Sequence, residues 1–204
     1  MAATAINHLL QVENFAPDAR AVRDAVVAGP FTTENGPDGG KYTGISQYPV
    51  PHWPSQIARH LEHPIIPRLS CFRLNLAGEM PHSWVHSDDI CAQWASVLYL
   101  NLPEQCSGGT AFWRHRELGI ECLPSRDELE RRGINPVVFY QQMDLDWRDL
   151  KKWEMVHHAK MAWNKFITYP TSFFHSRFPF EGFGSGPNDG RLIWICFYDR
   201  GGAS

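Results

Sequence analysis

Along this chain of 204 residues the spacing of hydrophobic positions switches between a helical and a strand-like period. From Pro17 to Ala28 it is helical: Val22, Ala25 and Val26 share a face, Pro17 suits the first turn, and Gly29-Pro30 ends the run. Between Thr32 and Pro67 frequent glycine and proline predict turns and short pieces, with a further helix over Pro54–His63. At Ser70–Ala77 the period drops to two. Phe72, Leu74 and Leu76 take one face and Cys71, Arg73 and Asn75 the other, as in a half-buried strand. Ala95–Asn101 and Thr110–Trp113 read as strands joined through the turn signal Ser107-Gly108-Gly109. The helical pattern then returns. Ser125 and Glu128 form a capping box for a short helix that Gly133 ends, and Trp147, Leu150 and Trp153 predict a second helix from Leu145 to Val156. Strands resume at Lys165–Tyr169 and Leu192–Tyr198, the latter apolar on both faces, as in a strand covered on both sides.

Strands flanking a helical stretch predict a mainly β fold with flanking helices, a jelly-roll or cupin-like barrel. The length suits one domain, 1–204. Within it, 1–69 reads as a helical and irregular lead-in, 70–121 and 162–199 as the barrel core, and 122–161 as a helical insert. Charge narrows the partners: 19 Lys and Arg against 22 Asp and Glu give a net charge of −3, with no basic stripe to follow a phosphate backbone, so nucleic acid is not expected. No apolar run reaches the roughly 18–20 residues that span a bilayer, and no basic and apolar leader opens the chain, so no membrane partner and a cytoplasmic location are expected. Five cysteines (Cys71, Cys91, Cys106, Cys122 and Cys196) are an odd number, none two residues from another, which predicts packed free thiols. A homodimer is compatible with this composition.

The candidate chemistry centres on histidine. His86-Ser87-Asp88 lies just before the strand Ala95–Asn101, and His175 just after the strand Phe166–Tyr169. Two histidines and a carboxylate, as a close pair with a distant third, form the set that leaves one face of a non-haem Fe(II) open. In an extended chain His86 and Asp88 point the same way with Cα atoms about 6.5 Å apart, close enough to share an ion. Nothing positive flanks Asp88 in sequence. Rival pairs are weaker: His60 and Glu62 point apart on a helix, and His115 with Glu117 reads as an exposed strand end. His82 stands four residues before His86, the spacing of helical zinc sites, although Pro81 and the strand context oppose a helix there. A cupin-like metalloenzyme using His82, His86 and His175 with zinc or another metal therefore stays open, as hydrolase, isomerase or dioxygenase. So does a non-catalytic barrel that binds a small acid. Arg191 opens the last strand on the face of Ile193, Ile195 and Phe197, where an inward guanidinium needs an anion.

These residues carry a resemblance. His86-Ser87-Asp88, the strand Ser96–Asn101, Gly108-Gly109-Thr110-Ala111-Phe112, His175 and Gly190-Arg191-Leu192 fall in the order seen in 2-oxoglutarate and Fe(II)-dependent oxygenases. The chain resembles the prolyl-hydroxylase-like members over Ser70–Tyr198, in an uncharacterised bacterial branch. The resemblance implies a double-stranded β-helix with Fe(II) held by His86, Asp88 and His175. It implies 2-oxoglutarate as cosubstrate with O2, Arg191 at its far carboxylate, and hydroxylation of an unactivated C–H bond in a small-molecule or peptide substrate. The 15 residues between His175 and Arg191, long for such members, keep Arg73, Lys165 and Arg177 as other candidates for that carboxylate, and Tyr99 as a hydrogen-bond donor to it. Trp84, Trp94, Trp113 and Trp163 are candidates to line a pocket, and the insert with Trp147, Trp153, His157 and His158 is a candidate lid.

Overall fold

The computed structural model describes residues 5–36, 39–80, 84–88 and 92–202. In chain order its elements are α1 (Ala5–His8), β1 (Leu10–Val12), α2 (Ala19–Ala28), β2 (Thr32–Asn35), β3 (Lys41–Ser46), α3 (Trp53–Leu61), β4 (Ile65–Asn75), β5 (Trp94–Tyr99), β6 (Gly109–His115), α4 (Arg126–Arg131), α5 (Pro136–Asp146), β7 (Trp153–Lys160), β8 (Phe166–Pro170), β9 (His175–Phe178) and β10 (Arg191–Arg200). The strands form a seven-stranded antiparallel sheet in the order β1-β8-β5-β10-β4-β3-β2 and a three-stranded sheet in the order β7-β6-β9. The fold is mainly β with a few helices, a two-sheet arrangement consistent with a jelly roll.

β10 lies between β4 and β5, with Ile193 opposite both Arg73 and Tyr99. That central position explains its apolar run on both faces. Leu192, Trp194, Cys196 and Tyr198 face α2 and α3, while Ile193 turns inward with Val97 and Ile167 to meet Phe112 and Ala159 of the smaller sheet. The helices are fastened as well as packed. Trp53 is fully buried, edge-on to Trp194 at 5.1 Å and to Phe72 at 5.7 Å. Asp18, just before α2, accepts from its indole nitrogen at 2.9 Å rather than capping its own helix. Each buried aromatic removes roughly 150–250 Å² from water, an upper limit of about 4–6 kcal/mol at 25 cal/mol per Å².

Two expectations are corrected. Leu145–Val156 is not a helix: α5 ends at Asp146, and Trp153–Lys160 is the strand β7, paired with β6 from His115↔Trp153 to Gly109↔Lys160. The tryptophan spacing suggested a helix, but β6 is buried on both faces and its second edge needs a ladder, which the Trp153-Glu154-Met155 alternation supplies. Residues 122–161 are accordingly part helix and part sheet. The stretch 32–67 holds more order than turns, because β2 and β3 pair with each other and β3 joins β4 through Ile45↔Arg73. Gly44, at φ 70°, allows this approach; a Cβ there would meet the carbonyl of Leu74. By contrast the Ser125 capping box is present as read, and both expected helices are present with shifted ends: α2 starts at Ala19, leaving Pro17 ahead of its N-cap Asp18, and the helix expected over Pro54–His63 is Trp53–Leu61. Cys71, Cys106, Cys122 and Cys196 are free thiols, whereas Cys91 lies outside the described residues. Among the described residues no helix is long and apolar enough to cross a membrane.

Candidate metal centre

The smaller sheet brings the two ends of the sequence motif together. His175 opens β9, with Phe112 of β6 as its partner on one side. On its other side it exchanges two backbone hydrogen bonds with His86, at 3.0 and 2.8 Å, so the His86 segment adds a one-residue bridge to the sheet. The Asp88 backbone N–H then donates to the Thr171 carbonyl at 2.8 Å. The result is a cluster in which one ligand atom from each of His86, Asp88 and His175 lies within 4.8 Å of the others. Nε2 of His175 stands 3.0 Å from Asp88 Oδ2 and Nε2 of His86 3.6 Å from Asp88 Oδ1. Atoms each about 2.0–2.2 Å from a shared first-row ion lie roughly 3–4 Å apart, and both histidine–Asp88 distances fall in that range.

The imidazoles are also held in the right tautomer. His86 Nδ1 sits 3.1 Å from the Trp84 carbonyl and His175 Nδ1 2.9 Å from that of Phe173. A carbonyl only accepts, so each Nδ1 carries a proton and each Nε2 is the nitrogen left to offer a lone pair when a metal takes the place of any proton on it. Burial would raise the Asp88 carboxyl, but the two imidazoles outweigh it and hold Asp88 below its ordinary range. Burial would lower His175, but the charge and hydrogen bond of Asp88 outweigh it and raise it. His86 is pushed down, by burial first and then by His175. Each of His175 and Asp88 therefore favours the charged form of the other. Tyr169 packs edge-on to His175 at 4.8 Å, and its hydroxyl is raised well above its ordinary range by burial and then by Asp88.

The cluster lies on the wall of a cavity of about 500 Å³ between the sheets. Arg191, 4% exposed, lines it from β10; among the described residues its Nε has no partner, and its Nη1 donates to Asn75 Oδ1 at 3.3 Å. Burial pushes its guanidinium down to about 10. Arg73 lines it from β4 and Arg177 from β9, whereas Lys165 is paired with Glu13 at 3.6 Å and is not among the lining residues. Tyr99 is fully buried and its hydroxyl meets Thr110 Oγ1 at 2.8 Å, so Thr110 reaches the cavity and Tyr99 stands behind it. Of the four tryptophan candidates, Trp84 lines the cavity; Trp94 and Trp163 pack against the helical core and Trp113 donates to Ser176 Oγ. Trp147 from 122–161 reaches it, whereas Trp153, His157 and His158 do not line it. His115 is no exposed strand end: it is 1% exposed, 3.1 Å from Asp146 Oδ2. His82 lies outside the described residues. The sequence reading missed the hairpin side chains Glu34, Tyr42 and Gln47 on the cavity rim, since their strands are short and polar.

A family model described as DUF6445, family of unknown function, matches residues 71–198. The chain belongs to that family. The matched span contains His86, Asp88, His175 and Arg191. No curated protein matches the sequence. Among solved structures, EvdMO1 is similar at 12% identity and a TM-score of 0.52 over 96% of this chain and 48% of that one, so the chain spans about half of EvdMO1. AviO1 from Streptomyces viridochromogenes Tue57 matches at 14% identity and a TM-score of 0.49, covering 94% of this chain and 89% of that one. HygX from Streptomyces hygroscopicus, with iron bound, matches at 10% identity and a TM-score of 0.46, covering 94% and 81%. At these identities the likeness is one of fold, and chemistry has to be argued from the side chains.

Proposed function

We propose that the chain is a non-haem Fe(II) and 2-oxoglutarate-dependent dioxygenase, built on a double-stranded β-helix, that hydroxylates a C–H bond of a small molecule, amino acid or peptide. The observation that carries this reading is the pairing of two features in one cavity. Nε2, Nε2 and carboxylate converge at one end, with both Nδ1 atoms held by carbonyls, and the buried Arg191 has an unpartnered Nε at the same cavity. Three protein ligands on one side leave room for others to bind the same ion. An unmatched buried guanidinium is costly unless a ligand supplies a carboxylate.

His86, Asp88 and His175 would hold the ion, and Arg191 would take the far carboxylate of 2-oxoglutarate. When bound, iron and 2-oxoglutarate with O2 supply the oxidation: substrate C–H, 2-oxoglutarate and O2 become substrate C–OH, succinate and CO2. The protein's own part is positional. The carbonyls of Trp84 and Phe173 fix the imidazoles, the Thr171 carbonyl fixes the Asp88 backbone, and Ile193, Ile195 and Phe197 keep that wall of the cavity apolar. The test is anaerobic titration of the Fe(II)-loaded protein with 2-oxoglutarate. A visible charge-transfer band that saturates, followed by succinate formation on admitting oxygen, is expected. Iron that binds without any band on adding 2-oxoglutarate would overturn the reading.

A further inference from the structure

Three arginines line one cavity, and a single cosubstrate carboxylate accounts for one of them. Arg177 is satisfied by the fold itself: its Nε donates to the Phe180 carbonyl at 2.7 Å and its Nη2 to the Glu79 carbonyl at 2.8 Å. Arg191 is the deepest. Arg73 is different from both. It sits on β4 opposite Ile193, its side chain 22% exposed, its guanidinium 4.6 Å from the centre of the Tyr42 ring. Its Nε is buried and has no hydrogen-bond partner among the described residues. Its ion pair with Glu79 is long, 3.5 Å, because Glu79 is engaged elsewhere, accepting from Asn75 Nδ2 at 2.9 Å and from the Leu76 backbone. Arg73 also lies within electrostatic reach of both His86 and Asp88.

Resting on the oxygenase reading, we propose that Arg73, shelved on Tyr42, is the anchor for a carboxylate on the prime substrate, which makes that substrate an organic acid with an apolar body. Depth decides between the two cations. A cosubstrate that chelates the metal before the substrate arrives occupies the buried end, where Arg191 is; a molecule entering afterwards meets the guanidinium nearer the solvent. Arg73 lines the cavity, and its planar guanidinium fork suits a two-oxygen anion, with the Tyr42 ring packed against it. The apolar body has a surface to match: along β10 and its neighbours the inward positions after Ile193 are Ile195 beside Cys71 and Val97, then Phe197 beside Leu69 and Ala95.

The test uses protein loaded anaerobically with Fe(II) and 2-oxoglutarate, and calorimetry with acetate, benzoate and 3-phenylpropionate against their neutral amides. Wild-type protein should bind the aromatic acids at least about tenfold tighter than the amides. Arg73→Gln should erase that preference, Arg73→Lys should restore part of it, and Tyr42→Leu, a change at the cavity rim, should weaken it. In all three the 2-oxoglutarate midpoint should stay within about threefold of wild type. Acid and amide binding alike to wild type, or an undiminished acid preference in Arg73→Gln, overturns the proposal. Loss of 2-oxoglutarate binding in Arg73→Gln also overturns it, by making Arg73 the cosubstrate anchor. The band and the acid-over-amide ratio fail separately: a ratio that depends on Arg73 in protein that gives no band supports this site while sinking the oxygenase reading.

Discussion

The two sheets contribute opposite chemistry to one cavity. The large sheet brings two arginines not held by backbone carbonyls, Arg73 on β4 and Arg191 on β10, whereas the small sheet, whose Arg177 is bound to the carbonyls of Phe180 and Glu79, brings His175 and, through its bridge, His86 and Asp88. Their support differs too. β10 is laddered on both sides and its outer face rests on Trp53, Phe72 and the helices, so a desolvated guanidinium can be carried at its end. The small sheet has three strands, and on its outer face Ala111, Trp113 and Trp153 pack with Met143 of α5 and with Phe174. Its candidate ligands are therefore fixed by local bonds: two Nδ1 contacts, two backbone bonds between the histidines, and the anchor at Thr171. The two arginines sit where packing is deep, and the candidate metal-binding groups sit where hydrogen bonds are dense.

The strongest way to break this division is to remove a ligand from the small sheet. Asp88→Ala should lower iron binding to background and abolish succinate formation, and because it also takes the partner from His175 it should lower the unfolding midpoint of the metal-free protein. Metal analysis and a turnover assay check this. Retained turnover would sink the metal assignment.

On the large sheet the expected effect on the cosubstrate is smaller and is accompanied by a gain. Arg191→Met removes a buried charge with an orphan Nε. It should raise the 2-oxoglutarate concentration for half-saturation by roughly 10²-fold. It should also stabilise the ligand-free protein by on the order of 1 kcal/mol, because an apolar chain of similar length no longer needs an anion. Denaturant unfolding and the anaerobic titration read the two changes. Unaltered half-saturation would place the anchor elsewhere.

Proton linkage sharpens the contrast further. His175 is raised above its ordinary 6.5 and Asp88 lowered below its ordinary 3.8. In metal-free protein the Asp88 contribution is present above about 3.8 and lost as pH falls through its lowered value. The His175 contribution is present below about 6.5 and lost as pH rises through its raised value. A metal must displace the His175 proton, so metal affinity should climb about tenfold per pH unit up to the raised His175 value and flatten above it. His86, pushed down, adds no such slope near neutrality. A pH-independent affinity between 6 and 7 would contradict the pairing of His175 with Asp88.

What was legible in the sequence follows the range of the interactions. α2, the Ser125 capping box and the two faces of β4 and β10 are local periodicities, and they were readable. So was the set His86, Asp88 and His175, because its spacing and the flanking strands resemble known oxygenases. The β2–β3 hairpin was not, since Lys41–Ser46 carries little alternation and gains its place from Arg73 and Phe72 of β4. Nor was β7, where tryptophans fell at helical spacing and the ladder to β6 prevailed. The partner of His115 is Asp146, 31 residues away, and no local pattern points to it.

The smallest effect asked of the molecule tests whether the cover of the small sheet matters to its ligands. Ser125 Oγ accepts from the Glu128 backbone N–H at 3.3 Å, and the Glu128 carboxylate returns to the Ser125 backbone at 3.0 Å. Ser125→Ala removes the first of these and keeps the second. It should cost about 1 kcal/mol, a fall of roughly 2–4 °C in Tm for a chain of this size. α4 buries Leu129 but contributes no side chain to the cavity, so the 2-oxoglutarate midpoint should not move. A shifted midpoint would mean that α4 and α5 hold the histidines as firmly as the local bonds do, and the distinction drawn between the two sheets would fail at the smaller one.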